Sequence, residues 1–425
     1  MNKVFNVLVF PCGSEIGLEI YRSLKYSRHI NLIGANSTDD HGKFIYPNYI
    51  EGLPFVKDPT FISALAKIIK EKDIDAVYPT MDFVIAFLKE RENLLGCKVI
   101  APPVQTTIIC NSKLATYDHF KGLIKLPLLF RTVNEIYRFP VFMKPDVGYG
   151  SRGAKLIHNK KEVIKHQNDY PDSIILEYLP GEEYTVDCFS NSKGELLYFQ
   201  ARKRGRISKG ISVNTFPVYS RTEAFSFFAH RINERLSFQG AWFFQVKEDK
   251  NGQLVLLEIA SRLAGSSSLS RNLGVNFAML SVFNCFDIPV GIIKNNYFIE
   301  LDRALDNKYK IDIDYKVAYI DFDDCLLLQG KVNTQLIAFI YHLQNNNIER
   351  ILITKHEFDI QETLRKYNLQ HLFTEVIHLK KEEEKMNYIK PDGAIFIDDA
   401  YAERKKIHEK YGIPVFAPDA VESLF

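Results

Sequence analysis

Cysteine is scarce. There are six in 425 residues, at positions 12, 97, 110, 188, 285 and 325, and no two form a CxxC pair. That scatter excludes a disulfide scaffold and a zinc ribbon and suits a reducing compartment, so a cytoplasmic protein is expected. Net charge is equally scarce, because 54 Lys+Arg against 52 Asp+Glu leave only +2. Such a balance argues against a nucleic-acid or membrane partner held by bulk electrostatics. Long apolar runs are missing too. The longest, 275–293, is interrupted by Asn284, Asp287 and Pro289, which makes a bilayer crossing costly. The run 4–10 contains Asn6 and leads straight into Pro11-Cys12-Gly13 with no small-residue cleavage site. It reads as a first β-strand, not a secretory leader. Internal repeats and low-complexity tracts are absent as well. What is present is 46% hydrophobic and 25% charged residues, ordinary for a globular chain, over a length that predicts two or three domains.

Residues 1–100 alternate short β-branched runs with helical patterns. A strand over 4–10 precedes a helix over 15–25 with Leu18, Tyr21 and Leu24 on one face; a helix over 61–70, a strand over 75–79 and a helix from Asp82 follow. This βαβ rhythm implies a parallel sheet covered by helices. Gly13 and Gly17 stand at the first strand-to-helix turn. The full GxGxxG spacing is absent, so a tight turn accounts for them better than a dinucleotide loop. Residues 101–300 change character. A helix over 112–121 leads into strands over 141–144, 154–157, 174–178, 184–188 and 196–201, separated by Gly, Asp and Asn as in antiparallel sheet. After a helix over 223–236, strands over 240–247 and 254–259 flank the turn Asp249-Lys250-Asn251-Gly252. A polar linker is expected over 301–312. From Lys316 strands over 317–320, 351–354, 375–379 and 394–397 alternate with helices over 334–344, 359–366, 382–389 and 402–411, a doubly wound α/β unit. The fold class expected is therefore multidomain, α/β and α+β.

The central section carries a first set of chemical residues. Lys144 ends an apolar strand, and Gly148-Tyr149-Gly150-Ser151-Arg152-Gly153 follows at once. Glycines let backbone N–H groups approach phosphate oxygens, and a lysine adds a point charge. Downstream, Glu177-Tyr178-Leu179 forms a hinge-like stretch ahead of a second acid, Glu183. Gln245 and Glu258 fall on the two strands of one hairpin, where both oxygens can face a single cation. Mg²⁺ needs few protein ligands when nucleotide phosphates supply the rest. The bland alternative for Glu258 and Arg262 is a buried ion pair. The run Arg202-Lys203-Arg204-Gly205-Arg206 reads equally as a carboxylate-holding cluster or a solvated charge run.

In this order the pieces resemble the ATP-grasp superfamily over about residues 1–300, and most closely the nucleotide-binding half of carbamoyl phosphate synthetase large subunits. Residues 1–100 resemble the pre-ATP-grasp domain and 101–300 the ATP-grasp domain, with a lid at roughly 113–180. Lys113 resembles the lysine preceding the lid. FPVFMKPDVGYGSRGAKLI resembles the phosphate-binding strand and loop, which implicates Lys144, Gly150 and Ser151. In ILEYLPGEEYTVD, Glu177, Tyr178 and Leu179 match the adenine hinge and Glu183 the ribose ligand. SRLAGSSSLSRNLGVN resembles the segment after the metal carboxylate. The resemblance implies ATP with Mg²⁺, or Mn²⁺ in its place, held by Gln245 and Glu258. It also implies attack of a carboxylate on the γ-phosphate and capture of the acyl phosphate by an amine, with Lys113, Lys144 and the catalytic Arg262 neutralising charge. One departure is Ala260, where the family commonly has Asn. The single ATP-grasp copy speaks against carbamoyl phosphate synthesis itself.

A second set closes the strands of the C-terminal section. Asp321 and Asp323 follow the strand over 317–320, Thr354 ends the next, Asp398 and Asp399 end a third, and Lys385 lies before them. In open parallel sheets ligands bind at strand C-termini. The set resembles the haloacid dehalogenase (HAD) superfamily of phosphotransferases over residues 315–425. That resemblance makes Asp321 the nucleophile of an aspartyl-phosphate, Asp323 the general acid/base, Thr354 the phosphate-binding hydroxyl and Lys385 the supporting lysine. Asp321, Asp323, Asp398 and Asp399 would be the Mg²⁺ ligands. Cys325 stands where threonine is commonest, and the short interval to Ile351 leaves no room for a cap domain.

The whole chain is thus expected to be a carboxylate–amine ligase (1–100 and 101–300) joined through 301–312 to a phosphatase (313–425). The alternative is a phosphatase with a catalytically silent ATP-binding module. Expected partners are a small carboxylate, an amine and a phosphorylated substrate, with no nucleic acid and no membrane; a homo-oligomer is compatible with the sequence.

Overall fold

Strand β1 (Phe5–Phe10) distributes its side chains to two cores, because successive residues of a strand face opposite ways. Val7 and Val9 enter one core with Ile20 and Leu24, while Leu8 and Phe10 enter another with Phe61 and Leu65. With β2 (Ile30–Ala35), β3 (Tyr49–Ile50), β4 (Ala76–Pro79) and β5 (Lys98–Val99) it forms a parallel sheet in the order β3-β2-β1-β4-β5. Strands β2, β3 and β5 went unread in the sequence; β3 and β5 are only two residues long, too short for an alternation to show. The structure, a computed structural model, describes residues 3–148, 150, 152–208, 210–304, 309 and 311–425. It divides the chain into two units, 1–305 and 306–425.

The turn after β1 shows why Gly17 is needed. A Cβ there would stand 2.3 Å from the Cys12 carbonyl oxygen, and Tyr46 Oη donates to the Gly17 carbonyl at 2.6 Å. Ser14 caps the helix Glu15–Leu24 by accepting from the Gly17 N–H.

Among the described residues, two antiparallel sheets complete the first unit. Strands β6 (Leu129–Phe130), β7 (Val141–Pro145), β8 (Lys155–Ile157) and β9 (Ser173–Glu177) lie in the order β6-β9-β7-β8. The helix Lys160–Asp169 beside them also escaped sequence reading, since only Val163 and His166 of it are buried. Strands β10 (Glu183–Ser190), β11 (Leu196–Ser208), β12 (Ile211–Pro217), β13 (Gly240–Glu248), β14 (Leu254–Ala260) and β15 (Leu301–Asp302) lie in the order β14-β13-β10-β11-β12-β15. Two stretches singled out in the sequence lie in this sheet. The basic run 202–206 belongs to the 13-residue strand β11, and Arg202 is buried with its Nε 2.7 Å from Asp187 Oδ2. The expected linker begins with a strand, because Leu301 and Asp302 pair with Thr215 and Asn214.

The second unit centres on β16 (Val317–Ile320), buried at every position. Strands β17 (Leu327–Leu328) and β18 (Lys331–Val332) form a hairpin just after it. Strands β19 (Glu349–Thr354), β20 (Glu375–His378), β21 (Ala394–Ile397) and β22 (Val415–Phe416) complete a parallel sheet ordered β20-β19-β16-β21-β22. The expected helix over 382–389 is instead a single 3₁₀ turn, Lys385–Tyr388. Met386 and Ile389 alone reach the core from it, too little apolar surface for an amphipathic helix. Among the described residues, no helix is long and apolar enough to cross a membrane.

Candidate functional site

Two groups of polar side chains stand out, one in each unit. In the first, β13 and β14 are paired so that Gln245 lies directly opposite Glu258. Lys144 reaches β14 from β7, its Nζ donating to the Leu257 carbonyl at 3.1 Å. Tyr117 Oη donates to the same carbonyl at 2.8 Å. Lys113 begins the helix Lys113–Phe120, which Ser112 caps, and its Nζ donates to the Asp146 carbonyl at 2.9 Å. Asp146 secures that corner by accepting from the Leu114 N–H at 2.7 Å.

Electrostatics tie these cations to one carboxylate. Burial works to raise the Glu258 carboxyl, but the charges of Lys113, Lys144, Arg204 and Arg262 outweigh it and hold the group below its ordinary range. The Lys144 ammonium is depressed to about 8 by burial, against the attraction of Glu258. Arg204, on β11, entered the sequence reading only as part of the basic run 202–206. Its Nη1 lies 3.4 Å from Gln245 Oε1 and pairs with Glu183, and its buried Nε has no hydrogen-bond partner among the described residues. Period-two spacing of Arg202 and Arg204 in a strand was the signal for both. Lys247 Nζ stands 3.7 Å from the other Glu183 oxygen.

Other expected residues are placed as follows. Arg262 does not pair with Glu258; its Nη2 and Nε lie 2.8 and 3.1 Å from Asp82 Oδ2, and its guanidinium sits 5.3 Å from the Phe243 ring. Glu177 Oε1 accepts from the Leu128 N–H at 2.9 Å, Tyr178 is exposed and Leu179 buried. Gly150 has a left-handed backbone, φ 61°, as glycine permits. Ser151 lies outside the described residues. Of the two expected cation ligands, Glu258 offers a carboxylate and Gln245 an amide oxygen; Ala260 is buried and its side chain adds no donor. That set fits Mg²⁺ only when phosphate oxygens complete it.

In the second unit, one oxygen each from Asp321, Asp398 and Asp399 lie within 4.8 Å of one another. Asp321 follows β16 and the other two follow β21, neighbouring strands in register. Lys385 Nζ bridges Asp321 Oδ1 at 2.7 Å and Asp398 Oδ2 at 2.6 Å. Burial pushes the Asp321 carboxyl up, with Lys385 opposing. Burial acts to lower Lys385, and the two aspartates overcome it, leaving the ammonium above its usual range. Three hard oxygen donors fit a divalent cation. Asp398 is fixed by accepting from the Ala400 N–H at 2.8 Å, and Arg404 donates to the Asp398 and Asp399 carbonyls at 2.6 Å each.

Thr354 is buried at the end of β19, its Oγ1 accepting from the His356 N–H at 3.2 Å. Asp323 is where expectation and structure part. Its carboxylate is not in the three-acid group; His356 Nδ1 holds it at 2.9 and 3.0 Å. The chain reverses after Phe322, which is fully buried, so Asp323 turns toward β19. His356 Nε2 lies 3.1 Å from Thr363 Oγ1. His356 was missed by sequence reading, although its place two residues past the end of a central strand was a usable signal. Cys325 is buried, its Sγ 4.0 Å from the Ile397 carbonyl, and serves packing.

The first unit resembles ATP-grasp proteins. A family model described as "ATP-grasp in the biosynthetic pathway with Ter operon" matches residues 169–297. The D-alanine--D-alanine ligase of Fusobacterium nucleatum is 29% identical over 182 residues, 40% of this chain and 62% of that relative. The chain thus spans less than two thirds of the length of the curated relative it matches. Among solved structures, the biotin carboxylase domain of Hydrogenobacter thermophilus 2-oxoglutarate carboxylase, in complex with MgADP and bicarbonate, aligns with a TM-score of 0.59 at 15% identity. The alignment covers 71% of this chain and 74% of that one. The L-amino acid ligase of Bacillus licheniformis aligns with a TM-score of 0.55 at 16% identity, covering 67% and 75%.

Proposed function

We propose that this chain is a two-site enzyme, an ATP- and Mg²⁺-dependent carboxylate–amine ligase in the first unit and a Mg²⁺-dependent phosphohydrolase of HAD type in the second. The observation that carries the ligase reading is the set of four cationic side chains acting on the carboxylate of Glu258. Phosphoryl transfer demands charge neutralisation and positioning more than covalent help from the protein. In this reading a substrate carboxylate oxygen attacks the γ-phosphorus and ADP leaves. An amine then attacks the acyl carbon and inorganic phosphate departs. Lys144 and Lys113 neutralise the phosphates, Arg262 the developing charge, Glu258 and Gln245 hold the cation, and Glu183, Glu177, Tyr178 and Leu179 seat the nucleoside. Relatives named as ligases support the class of reaction. The particular product of carbamoyl phosphate synthetases is not part of the proposal.

The phosphatase reading rests on the Asp321–Lys385–Asp398 arrangement with Asp399 beside it. Asp321 attacks phosphorus, the alcohol leaves with a proton from Asp323, and water releases phosphate from the aspartyl-phosphate. A bound Mg²⁺ would supply charge stabilisation at the transferring phosphoryl group. Lys385 orients Asp321 and opposes the protonation that burial favours, and Thr354 offers a hydroxyl for phosphate.

One observation favours a second reading for the first unit. Ala260 stands where a second ligand beside Glu258 is expected, which suits a nucleotide-binding module without ligation. Screening carboxylates with amines for ADP release, with mass analysis of products, separates the two. Carboxylate-dependent ADP release is expected; ATP binding with no such release overturns ligation.

A further inference from the structure

The Asp323 carboxylate sits apart from the three-acid group, and its neighbours show what holds it there. Among the described residues, His356 is the side chain bonded to it, through Nδ1 at 2.9 and 3.0 Å to the two oxygens. The imidazole is itself fixed from several directions. Its Nε2 lies 3.1 Å from Thr363 Oγ1, on the helix Ile360–Lys366 that Asp359 caps. The His356 N–H donates to Thr354 Oγ1 at 3.2 Å, and its carbonyl accepts from His378 Nε2 at 2.8 Å. Phe322, fully buried between Asp321 and Asp323, meets the imidazole edge-on with ring centres 5.1 Å apart. The His356 side chain is only 9% exposed, whereas that of Asp323 is 49% exposed. A carboxylate so open to water needs no partner for its own solvation, and exposed pairs contribute only about 0–1 kcal/mol. Contacts that immobilise a buried ring around a half-exposed acid are better explained by where they put the acid.

Strand β16 has β21 on one side and β19 on the other. Asp321, Asp398 and Asp399 gather on the β16–β21 side, while Thr354 and His356 come from the end of β19. His356 thus keeps Asp323 beside the phosphate-binding hydroxyl and away from the candidate cation ligands. The reaction needs an acid there. As an Asp321 oxygen bonds to phosphorus, the ester P–O bond breaks and the alcohol oxygen takes the Asp323 proton. Water then bonds to phosphorus, returns a proton to Asp323, and frees phosphate and Asp321. Proton transfer of this kind contributes about 10²–10⁴-fold, and only from a group within hydrogen-bond reach. On the phosphohydrolase reading of the second unit, we propose that His356 is a positioning residue. It aims Asp323 at the leaving oxygen and fits the centre to phosphate esters of aliphatic alcohols, whose alkoxides are too basic to leave unprotonated.

The test compares two esters on the full-length chain with Mg²⁺: glycerol phosphate, whose alcohol needs a proton to leave, and p-nitrophenyl phosphate, whose phenolate does not. The readout is kcat/KM, which covers the steps up to departure of the alcohol. His356→Ala should lose at least tenfold more on glycerol phosphate than on p-nitrophenyl phosphate. His356→Asn, whose amide N–H can stand in for Nδ1–H, should recover most of that difference. Thr363→Val, which frees Nε2, should show a severalfold difference in the same direction, and it decides the matter if circular dichroism shows His356→Ala unfolded. Equal losses on the two esters, or none, would overturn the assignment and leave the phosphohydrolase standing, as would a wild-type chain active on the aryl ester alone. A wild-type chain that hydrolyses neither ester would sink the phosphohydrolase reading and this inference with it.

Discussion

Lys144 holds a charge that its surroundings resist. Burial brings its ammonium to about 8, and bound phosphates would favour the protonated form. Nucleotide affinity should therefore be full below pH 8 and fall as pH rises through it, an effect absent from Lys144→Ala. Measuring the ATP dissociation constant from pH 7 to 9.5 checks this; a flat wild-type profile contradicts it. At neutral pH Lys144→Ala should cost about 1.5–3 kcal/mol of binding, the range for charged hydrogen bonds. Asp321→Asn preserves shape but removes the nucleophilic charge. It should abolish hydrolysis of p-nitrophenyl phosphate while carboxylate-stimulated ADP release continues. At this scale the acids were readable, because a carboxylate just past a buried strand has few structural reasons to be there. Arg204 and His356 were harder to read, since their partners Gln245 and Asp323 are distant in sequence.

Among the elements, the β13–β14 hairpin decides what metal chemistry the first unit can support. Ala260→Asn should add an oxygen donor near Glu258, keep activity and lower the Mg²⁺ concentration needed for half-maximal ADP release. A rise in that concentration would count against the metal being there. The turn into the first helix is the other sensitive element. In Gly17→Ala the new methyl meets backbone, which cannot swing aside, and overpacking of this kind costs roughly 1–3 kcal/mol. Thermal denaturation should show the first unit melting earlier, with no change in the second unit. Elements with strong periodicity, such as β16, β21 and the hairpin turn at Asp249–Gly252, were legible. The helix Lys160–Asp169 was not, because only Val163 and His166 of it are buried, and the run 382–389 misled because only Met386 and Ile389 of its apolar residues reach the core.

For the molecule as a whole, two units with separate cores make the two proposed activities separable. The second unit has its own core around Phe339, Leu343 and Ile395. A fragment of residues 311–425 should fold cooperatively and hydrolyse phosphomonoesters, as judged by circular dichroism and turnover. In the full chain, Glu258→Gln should lose ADP release and keep the phosphatase. Loss of both activities in a folded Glu258→Gln protein would mean that the sites are coupled.

The sequence by itself determined the strand-and-helix rhythm, the change of character near residue 100 and again near 313, and the acids at strand ends. These follow from local periodicity and turn chemistry, which neighbouring residues specify. Tertiary structure alone decided which charges meet. Arg262 finds Asp82 from 180 residues away, Lys113, Lys144 and Arg204 gather on Glu258 from three different elements, and Asp323 turns to His356 while Asp321 turns to Lys385. Sheet order and crossover connections bring such groups together, and no local pattern encodes a partner that the chain reaches only by folding back.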